Sequence, residues 1–370
     1  MENKKLSLRE ILACVVFIGM IGVFFILNFV IPAPTVLIAE RRAPARFPEL
    51  STQSILSGTF MSGFENYAAD RFVFRDSFRT IKAFFVFDIY QMTDKSGLYN
   101  CDAVGVGQFR RVDATAFRQT SERILRAAQS LEGQDVNIFY SIVPDKSIFA
   151  DRFMPGFDLA QAESILDDVL GAFTYISLKD SLSAASFYRT DLHWDQAEIA
   201  GVTSVILEAM GADYRLSDFP IRLVGEWNGV YSGQLALPVL PDQMRIVDIS
   251  GISVRYLNDR TLVFDHGPVY DHDRFAGIDP YDIFLRGPQP LIVLENDSAT
   301  TDRKLYLFRD SFGSSLAPLM MEAYAQITVI DLRYINLLIL DQFVDFVPSS
   351  DVLFIFSSQI FNNPTILQTQ

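Results

Sequence analysis

The chain has 370 residues, more than one average domain, and 49% of them are hydrophobic, ample for a core. A net charge of −14 argues against nucleic acid as a partner and against a basic patch for a membrane surface. Of the two cysteines, Cys14 lies in an apolar run and Cys101 is left alone, so no intramolecular disulfide is expected.

Residues 1–10 form a polar tail containing Lys4, Lys5 and Arg9. The following run, 11–31, is uncharged, with Asn28 its only strongly polar residue. As a helix it would be roughly 31 Å long, the thickness of a bilayer's hydrocarbon layer. A cleaved signal peptide would have a shorter apolar region and end at a small-x-small site, which Val30-Ile31-Pro32-Ala33-Pro34 is not. An uncleaved transmembrane anchor over 11–31 is therefore expected. Arg41, Arg42 and Arg46 balance the three upstream cations. The upstream charges lie closer to the membrane and are joined by the amino terminus, which places 1–10 in the cytoplasm and the remainder outside it.

Pro32, Pro34, Pro44 and Pro48 make a stiff spacer, and the stretch 64–72 reads as helix, so 32–90 forms a spacer and N-terminal helical region. Residues 91–370 read as an α/β domain. Strands are expected at 136–142, 174–178, 304–308, 327–330 and 352–356. Helices are expected at 159–173, 195–210, 312–324 and 334–346. Helical crossovers between strands imply parallel pairing. Short β-branched runs between Gly, Asn and Pro make 214–286 a β-rich insertion.

Two motifs carry chemistry. Tyr188-Arg189-Thr190-Asp191-Leu192-His193-Trp194 holds a carboxylate two residues before one of only three histidines. Leu307-Phe308-Arg309-Asp310-Ser311-Phe312-Gly313 places a serine where a strand turns into a helix, the end of a parallel sheet at which ligands gather. Asp, His and Ser are the parts of an acyl-transfer site. An extended backbone would put Asp191 and His193 on one face. Ser311 would meet the positive end of a helix dipole, with backbone N–H groups near Gly313 available to an oxyanion. The competing readings are a helix cap at Asp310 or Ser311, and a surface histidine beside a cap at Asp195. The pentapeptide Phe74-Arg75-Asp76-Ser77-Phe78 repeats Phe308 to Phe312 within a helix-like segment, so those five residues alone decide nothing. His266 and His272 lie in an acidic stretch that reads as a solvated loop rather than a metal site.

The Asp-Leu-His-Trp motif resembles the signature of the DHHW family, relatives of the SGNH-type acetyltransferases of alginate modification. Similar blocks run along the chain: Phe47-Pro48-Glu49-Leu50, Phe64-Glu65-Asn66-Tyr67 with Asp70-Arg71-Phe72 and Arg75, and Val143-Pro144-Asp145-Lys146. Asp279-Pro280-Tyr281 with Phe284-Leu285, Arg309-Asp310-Ser311-Phe312 and Asp331-Leu332-Arg333-Tyr334 continue the series. Leu192 stands where the family name has a histidine; its side chain should point away from Asp191 and His193.

The resemblance implies an SGNH-hydrolase-like fold with Ser311 as nucleophile, His193 as base and Asp191 as its orienting partner. It makes Arg333 a candidate substrate-binding cation, against a structural ion pair, with Lys146 and Tyr99 as weaker candidates. It further implies O-acetylation of a cell-surface polysaccharide, with an integral-membrane acyltransferase as acyl donor and no cofactor. Trp194 could offer a stacking platform for a sugar ring, against ordinary core packing. A carbohydrate acetyl esterase with the same triad, or a non-catalytic envelope glycan-binding protein, remains an alternative.

Overall fold

The structure is a computed structural model describing residues 7–150, 156–212, 219–258 and 260–369. It divides into two units, Met1–Gln91 with Ala236–Pro238 and Met92–Leu235 with Val239–Gln370. Part of the expected cytoplasmic tail (residues 1–6) and the start of the expected insertion (214–218) lie outside the described residues.

The first unit opens with helix Leu8–Val30, long and apolar enough to cross a membrane and with no buried residue. Ser7 caps it: its side chain accepts from the Glu10 N–H while the Glu10 carboxylate accepts from the Ser7 N–H. Helices Thr59–Arg71 and Arg75–Phe84 follow, the second running into a π-helical turn at Phe85–Ile89. An ion-pair network of Asp70 with Arg42 and Arg75, and of Glu40 with Arg42, Arg75 and Arg79, ties the spacer to these helices.

The second unit is built on an eight-stranded sheet, its strands numbered here along the chain. They are β1 (Asn137–Val143), β2 (Thr174–Tyr175), β3 (Ile252–Leu257), β4 (Phe264–Gly267), β5 (Leu291–Asn296), β6 (Lys304–Arg309), β7 (Gln326–Ile330) and β8 (Asp351–Ser357). The order across the sheet is β2-β1-β8-β6-β7-β5-β3-β4. The first five strands run parallel, and β5, β3 and β4 continue the sheet in antiparallel pairs.

The central strands are apolar on both faces, as a covered parallel sheet requires. In β6, Leu305 and Leu307 enter one core while Tyr306 and Phe308 enter the other. Helices Ala200–Ala209 and Phe312–Met320 contribute to the first core, and Ala114–Gln129 and Leu159–Leu170 to the second, giving a three-layered α/β fold.

The expected elements differ from this in several places. Of the helix expected over 334–346, only a 3₁₀ segment, Leu337–Gln342, forms. Leu338 and Ile339 face solvent while Leu340 is buried, so the run has no single apolar face to bury. Helix Ala114–Gln129 and strand β5 had no counterpart in the sequence reading. The β-rich middle separates into a two-stranded ribbon, Ile221–Trp227 with Asp242–Val247, and the strands β3 and β4 that extend the main sheet.

Candidate active site

β6 lies at the centre of the sheet, between β8 and β7, and delivers Arg309, Asp310 and Ser311 to its carboxyl edge. The Asp310 carboxylate accepts from the Phe312 N–H at 3.1 Å and from the Ser357 N–H at 3.0 Å, fastening the turn to the end of β8. The side chain of Arg309 runs beneath the following helix, and a Cβ at Gly313 would overlap it, so glycine lets the helix start directly over the strand. Ser311 itself is only half-buried. The N–H groups of Phe312, Gly313 and Ser314 are taken up by Asp310 Oδ1, Asp310 O and Ser311 O. The Ser311 N–H, two residues before Gly313, is not among the groups engaged in this way.

Asp191 and His193 sit on a tight loop rather than an extended strand. Phe187 and Trp194 pair as an isolated bridge, and the Tyr188 N–H donates to His193 O at 3.0 Å, closing the loop at its base. Within it, Asp191 Oδ1 accepts from the His193 N–H at 3.1 Å, a local turn of the kind Asp favours. This turn, not strand alternation, brings the two side chains together. Asp191 Oδ2 accepts from the Val230 N–H at 2.9 Å. Asp242, first residue of the ribbon's second strand, accepts from the N–H groups of Arg189 and Thr190 and from the Thr190 hydroxyl. The Gly229 N–H donates to Thr190 Oγ1, and a Cβ at Gly229 would overlap Thr190 O and Asp191 Cβ.

Lys146, fully buried just after β1, donates from its ammonium to the carbonyls of Tyr188 (2.9 Å), Arg189 (3.3 Å) and Asp191 (2.8 Å). Burial pushes this ammonium down to about 8, against the opposing pull of Asp191, Asp145 and Asp242. Lys146 thus holds the loop's backbone and makes no bond to the three candidate side chains.

The loop and the turn then meet. His193 Nδ1 lies 2.6 Å from Asp191 Oδ1, and His193 Nε2 lies 2.7 Å from Ser311 Oγ. An ionised Asp191 only accepts, so it fixes the N–H on Nδ1 and leaves Nε2 to take the Ser311 proton. The Tyr281 ring lies flat on the imidazole, centroids 3.7 Å apart and planes 7° from parallel. Its hydroxyl meets Ser315 Oγ at 2.8 Å. Burial pushes the Tyr281 phenol well above its ordinary pKa, so it stays neutral.

Other candidates fall elsewhere. Trp194 is fully buried, its indole N–H donating to Phe312 O and Ser315 Oγ, so no face is offered to a sugar; it braces helix Phe312–Met320 instead. Arg333 binds Asp331 through Nε (2.8 Å) and Nη2 (2.6 Å), and Asp331 also takes Arg309 at 3.2 Å. Leu192 packs on the core. Tyr99 stacks on Phe109 in a small three-stranded sheet. Ser77 lies on the exposed side of helix Arg75–Phe84. His266 belongs to the edge strand β4 and His272 opens a short helix, and no metal-binding cluster occurs among the described residues.

Gly229, Val230 and Asp242 lie in the β-rich stretch with no spacing relation to Asp191, so nothing in the sequence marks them as part of the site. Tyr281 was visible only as part of a family-like block.

No protein-family model and no curated protein matches the chain. Solved structures do. A DHHW family protein from Eubacterium siraeum is 19% identical with a TM-score of 0.57, over 75% of this chain and 98% of that one. Bacillus cereus PatB1 with a sulfonyl adduct is 14% identical with a TM-score of 0.55, over 71% and 96%. The O-acetyltransferase domain of Pseudomonas putida AlgJ aligns at 14% identity over 73% and 92%, with a TM-score of 0.42. At these identities the first two likenesses establish the fold. It is a mixed α/β fold with a parallel-rich sheet, shared with a DHHW family protein and preceded here by one long apolar helix.

Proposed function

We propose that this chain is a membrane-anchored, extracytoplasmic O-acetyltransferase that acts on a cell-surface polysaccharide through Ser311, His193 and Asp191. The observation that carries the reading is the continuous hydrogen-bonded line from Asp191 through His193 to a half-buried serine at the carboxyl edge of the sheet. The likeness in fold to PatB1, which carries a sulfonyl adduct, and to a DHHW family protein supports it.

In the first half-reaction Ser311 Oγ attacks the donor's acyl carbon as its proton passes to His193 Nε2. The donor's leaving group departs with that proton. In the second, a sugar hydroxyl gives its proton to His193 and attacks the acyl-serine, and Ser311 Oγ leaves and is reprotonated. Asp191 holds the imidazolium throughout, and the Ser311 N–H stabilises the oxyanion. An integral-membrane acyltransferase supplies the acyl group. Helix Leu8–Val30 is the anchor.

The test uses the full chain, a soluble acetyl donor and short cell-surface oligosaccharides, with products read by mass spectrometry. Transfer predicts acetylated sugar in excess of free acetate. Free acetate alone, over a range of acceptors, would make the chain an esterase. No turnover in a folded protein would favour a glycan-binding role.

A further inference from the structure

The apolar helix Leu8–Val30 is not an isolated tether within its unit. The ring of Phe24 stacks on Phe72 (centroids 5.8 Å apart, planes 16°) and meets Phe78 at 5.7 Å. Asn28, the one strongly polar residue of the run, accepts the backbone N–H of Val73 at 3.0 Å and donates to Phe24 O at 2.8 Å. A side-chain amide on a lipid-facing helix is costly unless bonded. Here it is spent on fastening the turn that precedes helix Arg75–Phe84. Phe24 lies six residues before Val30, about 9 Å along the helix axis. The turn is therefore fixed at a level below the end of the apolar helix.

Helix Arg75–Phe84 and its π-helical extension are amphipathic in the wrong sense for a water-facing helix. Ala83 is fully buried, and Arg75 and Arg79 on the same side pair with Glu40 at 2.6 and 3.2 Å. Phe74, Phe78, Ile81, Phe84, Phe85 and Ile89 point outward, each between 44 and 54% exposed. A soluble surface helix buries such a stripe. Six large apolar side chains in a row exceed the scattered exposure normal for a soluble surface. The stripe also joins the lipid-facing surface of the first helix through the contact of Phe78 with Phe24. Lys82, i+4 from Phe78 and i−3 from Phe85, sits at its margin, where a long basic side chain can keep its ammonium among headgroups.

We propose that Arg75–Ile89 is an interfacial helix, its stripe immersed at the acyl–headgroup boundary of the leaflet that holds the carboxyl end of helix Leu8–Val30. The inference rests on the reading of Leu8–Val30 as a membrane span. Its occupant is the lipid itself, and the unit is held against the bilayer by two elements instead of one.

The test reconstitutes the full chain in phosphatidylethanolamine–phosphatidylglycerol vesicles containing lipids brominated on their acyl chains. Tryptophan is introduced singly as Phe78→Trp, Ile81→Trp or Phe85→Trp. The two native tryptophans are buried and give the baseline. Phe17→Trp reports the span, and Asp76→Trp reports the opposite side of the second helix. The proposal expects loss of the added emission at all three stripe positions, most with lipids brominated near the headgroup, and little loss at Asp76→Trp. Phe17→Trp should lose emission most with lipids brominated deep in the chain. Quenching at Phe17→Trp with none at the stripe would overturn the interfacial helix and leave the span standing. No quenching at Phe17→Trp would overturn both. Unquenched, blue-shifted emission at the stripe that depends on protein concentration would assign the surface to a second copy instead. Unquenched, water-like emission in pure lipid would leave it for a membrane protein partner.

Discussion

Tyr281 stacks on the imidazole of the catalytic candidate His193, whose two nitrogens are engaged by Asp191 and Ser311. Replacing it by Ala should let the ring rotate away from Ser311 and lower kcat on an aryl acetate by about ten- to a hundred-fold. Tyr281→Phe keeps the stack and loses only the bond to Ser315, so its kcat should stay close to the parent. Equal loss in both variants would show that the hydroxyl, not the ring, matters. Gly229 offers a second test, since Gly229→Ala would force a Cβ against Thr190 O and Asp191 Cβ. Activity should fall further than thermal stability, because the displaced group is Asp191 itself. At this scale the sequence was informative where residue types are scarce. With three histidines in the chain, the one beside Asp191 stood out, and Ser311 was marked by the strand before it. Tyr281, Asp242 and Val230 reach the site from positions 39 to 90 residues beyond Asp191, across the fold. Such contacts leave no periodicity to read.

Among the elements, the loop Tyr188–His193 depends on the buried cation that follows β1. Lys146 titrates near 8 in the folded chain and, unfolded, near its ordinary 10.5. Below pH 8 both states carry the proton, and burying the charge costs stability. Between about pH 8 and 10.5 the unfolded chain binds more protons than the folded one, so this group's contribution should rise with pH, by about 3 kcal/mol at most. Denaturant unfolding of wild type and Lys146→Met across that window isolates the effect. A wild-type curve parallel to the variant's would show that the ammonium is not held as described. Strands β6 and β8 were legible because both faces are covered and their apolar runs are continuous. The helix expected over 334–346 was not, since apolar content alone does not make a one-sided face. β3 falls in the stretch read as β-rich, whereas β4 was expected as a solvated loop around His266; nothing in their local pattern says they extend the main sheet, because pairing partners lie far away in the chain.

At the scale of the molecule, the proposal joins a membrane span to an acyl-transfer site outside the cytoplasm. Protease added to cells with opened outer layers should digest the domain and spare a tag on the amino terminus; protection of the domain would invert the topology and remove surface chemistry. The long apolar helix Leu8–Val30 was legible as a continuous uncharged run. The second apolar surface at Arg75–Ile89 was not, because only the fold shows which of its faces remains uncovered. The central claim is that Ser311 is acylated with His193 as its base. The most direct measurement exposes the full chain to an aryl acetate or a sulfonyl fluoride and locates the covalent adduct by peptide mass spectrometry. One adduct is expected, on Ser311, absent in Ser311→Ala and slowed by on the order of a thousand-fold or more in His193→Ala, with Ser77→Ala modified as wild type is. An adduct on another residue, or one on Ser311 that forms equally fast without His193, would contradict it.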